Sequence, residues 1–115
     1  MSRHMDALQR ANVVRFALAR VKAELAALDR SAGAERAAGM LRDPDELVGA
    51  MRMEDLLLAV HRCGPLAAGS ILAQARIPHG ARLRRIREFT PRQRNLIAAL
   101  LEPWGRRPVA PRRTA

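Results

Sequence analysis

The first third of the chain carries one regular series of apolar residues. Between positions 6 and 31 they recur at alternating spacings of three and four, which is the period of one helix face. A helix of about 25 residues is longer than one small core can cover. Three interpretations remain open: a helix packed along one face, a projecting arm, or a helix that pairs with a second chain. The members of the series are Ala11, Val14, Leu18, Val21, Leu25 and Leu28.

Glycine and capping residues divide the middle of the chain into shorter elements. Gly33 and Gly39 interrupt an Ala-rich segment and predict at most a short helix over 34–41. Asp43 is expected to cap a helix that has Pro44 at its first position. The acidic residues that follow Met53 are typical of a further helix start.

Proline marks the helices of the second half. Pro65 is expected to start a helix that runs to about position 75. Thr90 is expected to cap the last helix through a capping box, and Pro103 to end it. The apolar positions of these helices predict a core that includes Leu47, Val48, Met51, Leu56, Leu57, Val60, Ile71, Leu72, Leu96, Ile97, Leu100 and Leu101.

Two turns are predicted between the last two helices. The segment 77–80 must turn, because Pro78 disfavours helix at the residue before it and Gly80 allows a positive φ. In the basic segment that follows, Leu83 and Ile86 lie three positions apart. One helical turn there would bury both residues and direct the neighbouring arginines outward.

Composition favours helices over sheet. Hydrophobic residues make up 49% of the 115 residues but aromatic residues only 3%, and runs of alternating β-branched residues are almost absent. We therefore expect an all-α protein with a long N-terminal helix and a small helical domain. Residues 1–5 are expected to be disordered or tag-derived, and 6–42 to form the long helix and the Ala-rich segment. Residues 43–102 are expected to form the domain, and 103–115 a disordered basic tail.

The positive charge is concentrated in the last third of the chain. Residues 1–75 carry ten basic and nine acidic side chains, whereas 76–115 carry eleven arginines and only two acids, within a total net charge of +10. A solvated surface does not need such asymmetry, but a face that binds a polyanion does. Arginine outnumbers lysine twenty to one. Phosphate recognition and a GC-rich genome explain that bias equally well.

The sequence offers no recognisable catalytic or metal-binding group. Cys63 is the only cysteine and the three histidines are scattered, so neither a disulfide nor a metal site is expected. We interpret Cys63 as a small buried apolar residue. No cofactor, no enzymatic activity and no small-molecule substrate are expected. No apolar stretch approaches the roughly 18 residues that cross a bilayer, so we expect a cytoplasmic protein without a membrane partner.

The span from Leu47 to Leu101 resembles the actinobacterial integration host factors of the mycobacterial and streptomycete type. The resemblance rests on an ordered series of short motifs, without one diagnostic motif. They are Leu47-Val48-Gly49-Ala50-Met51-Arg52-Met53, Leu56-Leu57, Gly64, Ile71-Leu72, Ile77, Arg82-Leu83-Arg84 and Arg92-Gln93-Arg94.

This resemblance implies a helix-two-turns-helix module within 43–102 that grips double-stranded DNA by its phosphate backbone, with little sequence preference. It also implies a role in the bacterial nucleoid and a site-specific recombinase as a partner. Helix N-termini and arginine forks are suited to phosphate oxygens. The residues expected to contact DNA are Gly64, Arg82, Arg84, Arg85, Arg87, Arg92 and Arg94, with accessory contacts from Arg10, Arg15, Arg20, Lys22, Arg106 and Arg107.

This chain departs from the family pattern at both turns. Basic residues usually follow the glycine that matches Gly64, but here Pro65-Leu66-Ala67-Ala68 follows it. Ala81 replaces an arginine, whereas Arg85 and Arg87 replace glycine-like positions. The DNA contacts are therefore expected to shift towards 82–94 or to weaken. Two other interpretations remain open: an RNA-binding protein, because A-form phosphates attract the same arginines, and a protein-interaction module that docks through its first helix.

Overall fold

The computed structural model describes residues 3–108, with side chains from residue 6 onwards. This part of the chain contains six α-helices and two 3-10 turns and no strand, which confirms the all-α expectation. The predictions for residues 1–2 and 109–115 lie outside the described residues. The helices are α1 (Arg3–Ala27), α2 (Arg30–Arg42), α3 (Glu46–Gly49), α4 (Met53–Ala59), α5 (Pro65–Gln74) and α6 (Pro91–Arg106), and the turns are η1 (His79–Leu83) and η2 (Ile86–Glu88).

The long first helix is packed at one end and projects at the other. Leu25 is fully buried, and Leu18 and Val21 pack partly against the core, but Val14 is 45% exposed. The described residues accordingly extend over 64 × 30 × 23 Å. The helix begins at Arg3, earlier than predicted, and ends before Leu28. The domain therefore buries the apolar series only along the C-terminal half of α1.

The Ala-rich segment forms a full helix of 13 residues, so the prediction of a short helix was wrong. The Asp29 carboxylate caps it by accepting a hydrogen bond from the backbone N–H of Ala32, at 2.8 Å. Glycine disfavours a helix by about 1 kcal/mol per residue, and burial of the alanine face of α2 against α6 outweighs this. The buried residues of α2 are Gly33, Ala34, Ala37, Ala38 and Leu41, of which Ala34 faces Gly105 of α6 and Gly33 lies against Leu25 and Val60.

The last helix continues through Pro103 to Arg106, so the prediction that Pro103 ends it was wrong. The segment 103–106 is helical, where a disordered tail was expected. Gly105 lies buried against α2, and a Cβ built on it would lie 2.4 Å from the Cβ of Ala34. This close packing holds the final turn of α6 in place despite the proline.

Arg30 joins the start of α2 to the end of α6. Its guanidinium donates hydrogen bonds to the carbonyl oxygens of Trp104 at 2.7 Å and Arg107 at 3.2 Å. It also lies 4.3 Å from the centroid of the Trp104 ring. Carbonyls at the end of a helix lack the N–H partner that the next turn would provide, so this half-buried side chain supplies donors to them and adds a cation–π contact.

We expect Arg30→Lys to lower the free energy of unfolding by about 1–2 kcal/mol, because an ammonium cannot stack on the ring and serve both carbonyls. Urea denaturation followed by circular dichroism measures the change. Arg36→Lys is the matched control, since Arg36 is exposed on the same helix. Equal losses in the two variants would show that the contact to α6 adds no stability.

Three local predictions need correction. Asp45 caps α3 by accepting from the N–H of Val48 at 2.7 Å, whereas Asp43 lies at the end of α2. Gly80 has a negative φ, since no described glycine has a positive one. Ile86 is fully buried as predicted, but Leu83 is 55% exposed. The two residues lie in separate 3-10 turns with extended backbone between them, so they do not share one helical face.

Candidate nucleic-acid interface

The basic turns are fixed to the start of α4 by a short antiparallel bridge. The backbone N–H of Met53 donates to the carbonyl of Arg84 at 3.0 Å, and that of Ile86 donates to the carbonyl of Met51 at 2.8 Å. Met51, Met53 and Ile86 are buried, so the core determines the register of this bridge. Arg52 and Arg85 are thereby placed directly opposite each other.

The two facing arginines form the centre of the candidate site. Their neighbours make the hydrogen bonds, so they occupy a non-hydrogen-bonded pair, in which Cα atoms lie about 4.5 Å apart and side chains share one face. Like charges directly opposite each other are destabilising. Both side chains are exposed, as are those of Arg84 and Arg87. We call Arg52, Arg84, Arg85 and Arg87 the arginine cluster.

The contacts of the cluster leave much of its charge unpaired. The Arg85 guanidinium donates to the carbonyl of Ala50 at 2.7 Å, which is a neutral partner. The Glu88 carboxylate, which directly follows Arg87 in the chain, accepts a hydrogen bond from the backbone N–H of Arg85 at 2.7 Å. No ion pair of the four cluster guanidiniums occurs within residues 3–108. The exposed face that Arg52 and Arg85 share is therefore net positive and can accept an anion.

Two of the predicted contact residues already bind partners within the protein. The guanidinium of Arg82 forms an ion pair with Glu54 at 2.9 Å and is only one-third exposed. Arg94 is half-buried and donates to the carbonyl of Leu41 at 2.9 Å, which ties the start of α6 to the end of α2. Arg92 is exposed in the first turn of α6. Of these three arginines, Arg92 is the one whose side chain the fold leaves accessible.

The start of α5 is apolar and exposed. Gly64 is the N-cap residue and provides no side-chain hydrogen bond to the helix. Pro65 removes one donor and Leu66 is 91% exposed. The predicted contact at Gly64 is thus accessible but carries no charge of its own.

The predicted accessory residues lie on α1 and at the end of α6. Arg10, Arg15 and Arg20 are exposed on α1, where Arg10 donates to the carbonyl of Asp6 at 3.3 Å. Lys22 forms a long ion pair with Asp55 at 3.9 Å. Arg106 and Arg107 are exposed, and Arg106 lies 4.0 Å from the Glu102 carboxylate. No hydrogen bond or ion pair within the described part of the chain joins these six residues to the arginine cluster.

Sequence reasoning did not include Arg52 among the candidate residues. It lies in the balanced first part of the chain, and only the bridge brings it to Arg85. Arg62 and Arg76 were not among the candidate residues either. They are the non-glycine residues with positive φ in the described chain, at 64° and 60°. A left-handed backbone costs an L-residue roughly 1–2 kcal/mol, whereas a cation near a helix C-terminus gains about 0.3–1 kcal/mol.

Cys63 is buried, which confirms its interpretation as a small apolar residue. Burial raises the pKa of its thiol to about 11, although the positive charge of Arg30 acts in the opposite direction. The thiol is therefore neutral near pH 7 and a poor nucleophile. Among residues 3–108, no three His, Cys, Asp or Glu side chains gather in an arrangement that could hold a metal ion. None of the described helices combines the length and apolarity of a membrane span.

Comparisons with known proteins find no matching family, no matching curated protein and no matching solved structure. The resemblance to the actinobacterial integration host factors therefore stays a prediction from the sequence. The candidate interface depends on the geometry of the arginine cluster.

Proposed function

We propose that this protein is a non-enzymatic DNA-binding protein that grips duplex DNA by its phosphate backbone, with little preference for sequence. The observation that carries the proposal is the bridge between Arg52 and Arg85, which holds two like charges on one exposed face. Such a pair opposes folding unless an anion binds it. Each guanidinium can form bidentate, charge-assisted hydrogen bonds to phosphate.

Backbone recognition fits the elements that carry the cluster. The four arginines lie on a helix N-cap, on extended residues and on a 3-10 turn. Contacts to phosphate position a protein on a duplex but carry no direct sequence information, whereas base edges are usually read by an element inserted into a groove. We therefore expect similar affinity for unrelated duplexes.

Finer parts of the proposal rest on the resemblance alone. A place in the bacterial nucleoid and a site-specific recombinase as a partner are implied by the family and by no contact described above. The absence of a cofactor and of a small-molecule substrate is likewise part of the proposal. RNA duplexes offer the same phosphate chemistry, so they belong in the test.

The first measurement is a salt series of binding to a mixed-sequence duplex of about 25 base pairs, beside an A-form RNA duplex. Each phosphate that the protein neutralises contributes about −0.9 to the slope of log K against log salt, so four to six contacts predict a slope of roughly −4 to −5. Weak binding to both duplexes would contradict the proposal, and preference for RNA would change the partner.

One observation favours a second function, docking of a protein partner to the projecting half of α1. Phe16 is 76% exposed there, and Leu8, Val13 and Val14 are exposed as well. Exposed apolar side chains in this number are typical of a surface that another molecule covers. An affinity for a protein partner that changed with neither added DNA nor salt would favour this alternative.

A further inference from the structure

The two residues with left-handed backbone share several features. Arg62 follows α4 and Arg76 follows α5, and both side chains are exposed. Each immediately precedes a buried residue, Cys63 and Ile77 respectively. Burial of the following residue constrains the direction of the chain, which explains why the backbone keeps a positive φ at these two positions.

Both positions belong to turns in which glycine is the usual residue. The N–H of Cys63 donates to the carbonyl of Val60 at 2.9 Å, so Arg62 is the third residue of a four-residue turn, where a positive φ favours Gly or Asn. At the end of α5, the N–H groups of Arg76 and Ile77 donate to the carbonyls of Ala73 and Leu72, at 3.0 and 2.9 Å. This is a Schellman motif, whose left-handed residue is usually glycine.

Within the described residues, neither arginine side chain makes a contact that offsets the cost of the left-handed backbone. Neither guanidinium has a hydrogen bond or ion pair with another residue of the described chain. Attraction to the helix C-terminus is smaller than the cost of the left-handed backbone and is screened by salt. Strain that persists without a structural gain points to a function of the residue. What an arginine supplies here, and a glycine cannot, is positive charge.

We infer that Arg62 and Arg76 contact the same polyanion as the arginine cluster, which extends the phosphate-binding surface to both ends of α5. This inference rests on the proposed function. It also places a positive charge beside the neutral start of α5. The segment after Gly64 carries no charge, but Arg62 lies two residues before that glycine, on the other side of the same junction.

The test uses Arg62→Gly and Arg76→Gly, singly and together, in the full chain. Each substitution relieves the backbone and removes one charge. We expect Tm to rise by a few degrees for each, while affinity for the mixed-sequence DNA duplex falls roughly 5- to 10-fold and the salt slope becomes shallower by about 0.9. The opposite signs separate a contact residue from a merely structural one. Arg62→Lys keeps charge and strain, so it should retain most of the affinity and the original Tm.

Each result is decisive. If the wild-type protein binds DNA with a steep salt slope but the glycine variants bind equally well, the inference is overturned while the proposed function stands. If the glycine variants are less stable, the arginines stabilise the helix ends and the argument from strain is wrong. If the wild-type protein binds no duplex, the proposed function fails, and this inference fails with it.

Discussion

Gly105→Ala is expected to lower the free energy of unfolding by about 3 kcal/mol, the largest stability change that we predict for a single methyl group. The new Cβ would lie 2.4 Å from the Cβ of Ala34 and 3.1 Å from the carbonyl oxygen of Arg30. Both atoms belong to a helix that is packed along its length, so neither can move without shifting α2 against α6. Chemical denaturation gives the free energy directly.

Two variants make this prediction specific. Gly39→Ala is the matched control, because no atom of another segment lies within 4 Å of the Cβ that an alanine would add there, and it should raise stability by about 0.5–1 kcal/mol. Ala34→Gly combined with Gly105→Ala moves the methyl group from one helix to the other, so the pair should recover part of the loss. A double-mutant cycle without coupling would contradict the close α2–α6 contact.

Arg52→Glu is expected to weaken binding to duplex DNA about 100-fold near 0.1 M salt, because it removes one phosphate contact and places a repelling charge beside a second. Stability should not fall. The new carboxylate would face Arg85 across the bridge and would lie at the N-cap of α4, and both positions favour a negative charge. Fluorescence anisotropy measures the affinity and thermal denaturation measures the stability.

The matched control is Arg36→Glu, which makes the same change in net charge on the exposed side of α2. It should weaken binding only slightly. If both reversals weakened binding equally, attraction would depend on total charge and the arginine cluster would not be the contact site.

Local signals were sufficient for several interactions that are themselves local, although not for the cap of α3, which is Asp45 instead of Asp43. The Thr90 hydroxyl accepts from the N–H of Gln93 at 3.1 Å, and the Gln93 side chain accepts from the N–H of Thr90 at 2.9 Å, as the capping box predicted. Pro65 and Pro91 start their helices as expected. These features join residues within one turn, so the sequence displays both partners together.

The candidate site could be predicted only in part. The excess of arginine in 76–115 indicated a polyanion-binding segment, and Arg84, Arg85, Arg87 and Arg92 are exposed there. Arg82 and Arg94 carry the same charge in the sequence, but Glu54 and the carbonyl of Leu41 engage them. Whether an arginine faces solvent or an internal partner depends on residues far away along the chain, which no local pattern contains.

The helical class, the helix starts at Met53, Pro65 and Pro91, and the location of the positive charge could be predicted from the sequence alone, since these follow from hydrophobic period, capping and composition. Three features could be seen only in the folded chain: α2 is a full helix, α6 passes through Pro103 to a buried Gly105, and Arg52 faces Arg85. Each of these depends on contacts between distant segments. Burial of apolar and small side chains there outweighs the local preferences of glycine, proline and like charges, each of which amounts to no more than about 1–3 kcal/mol.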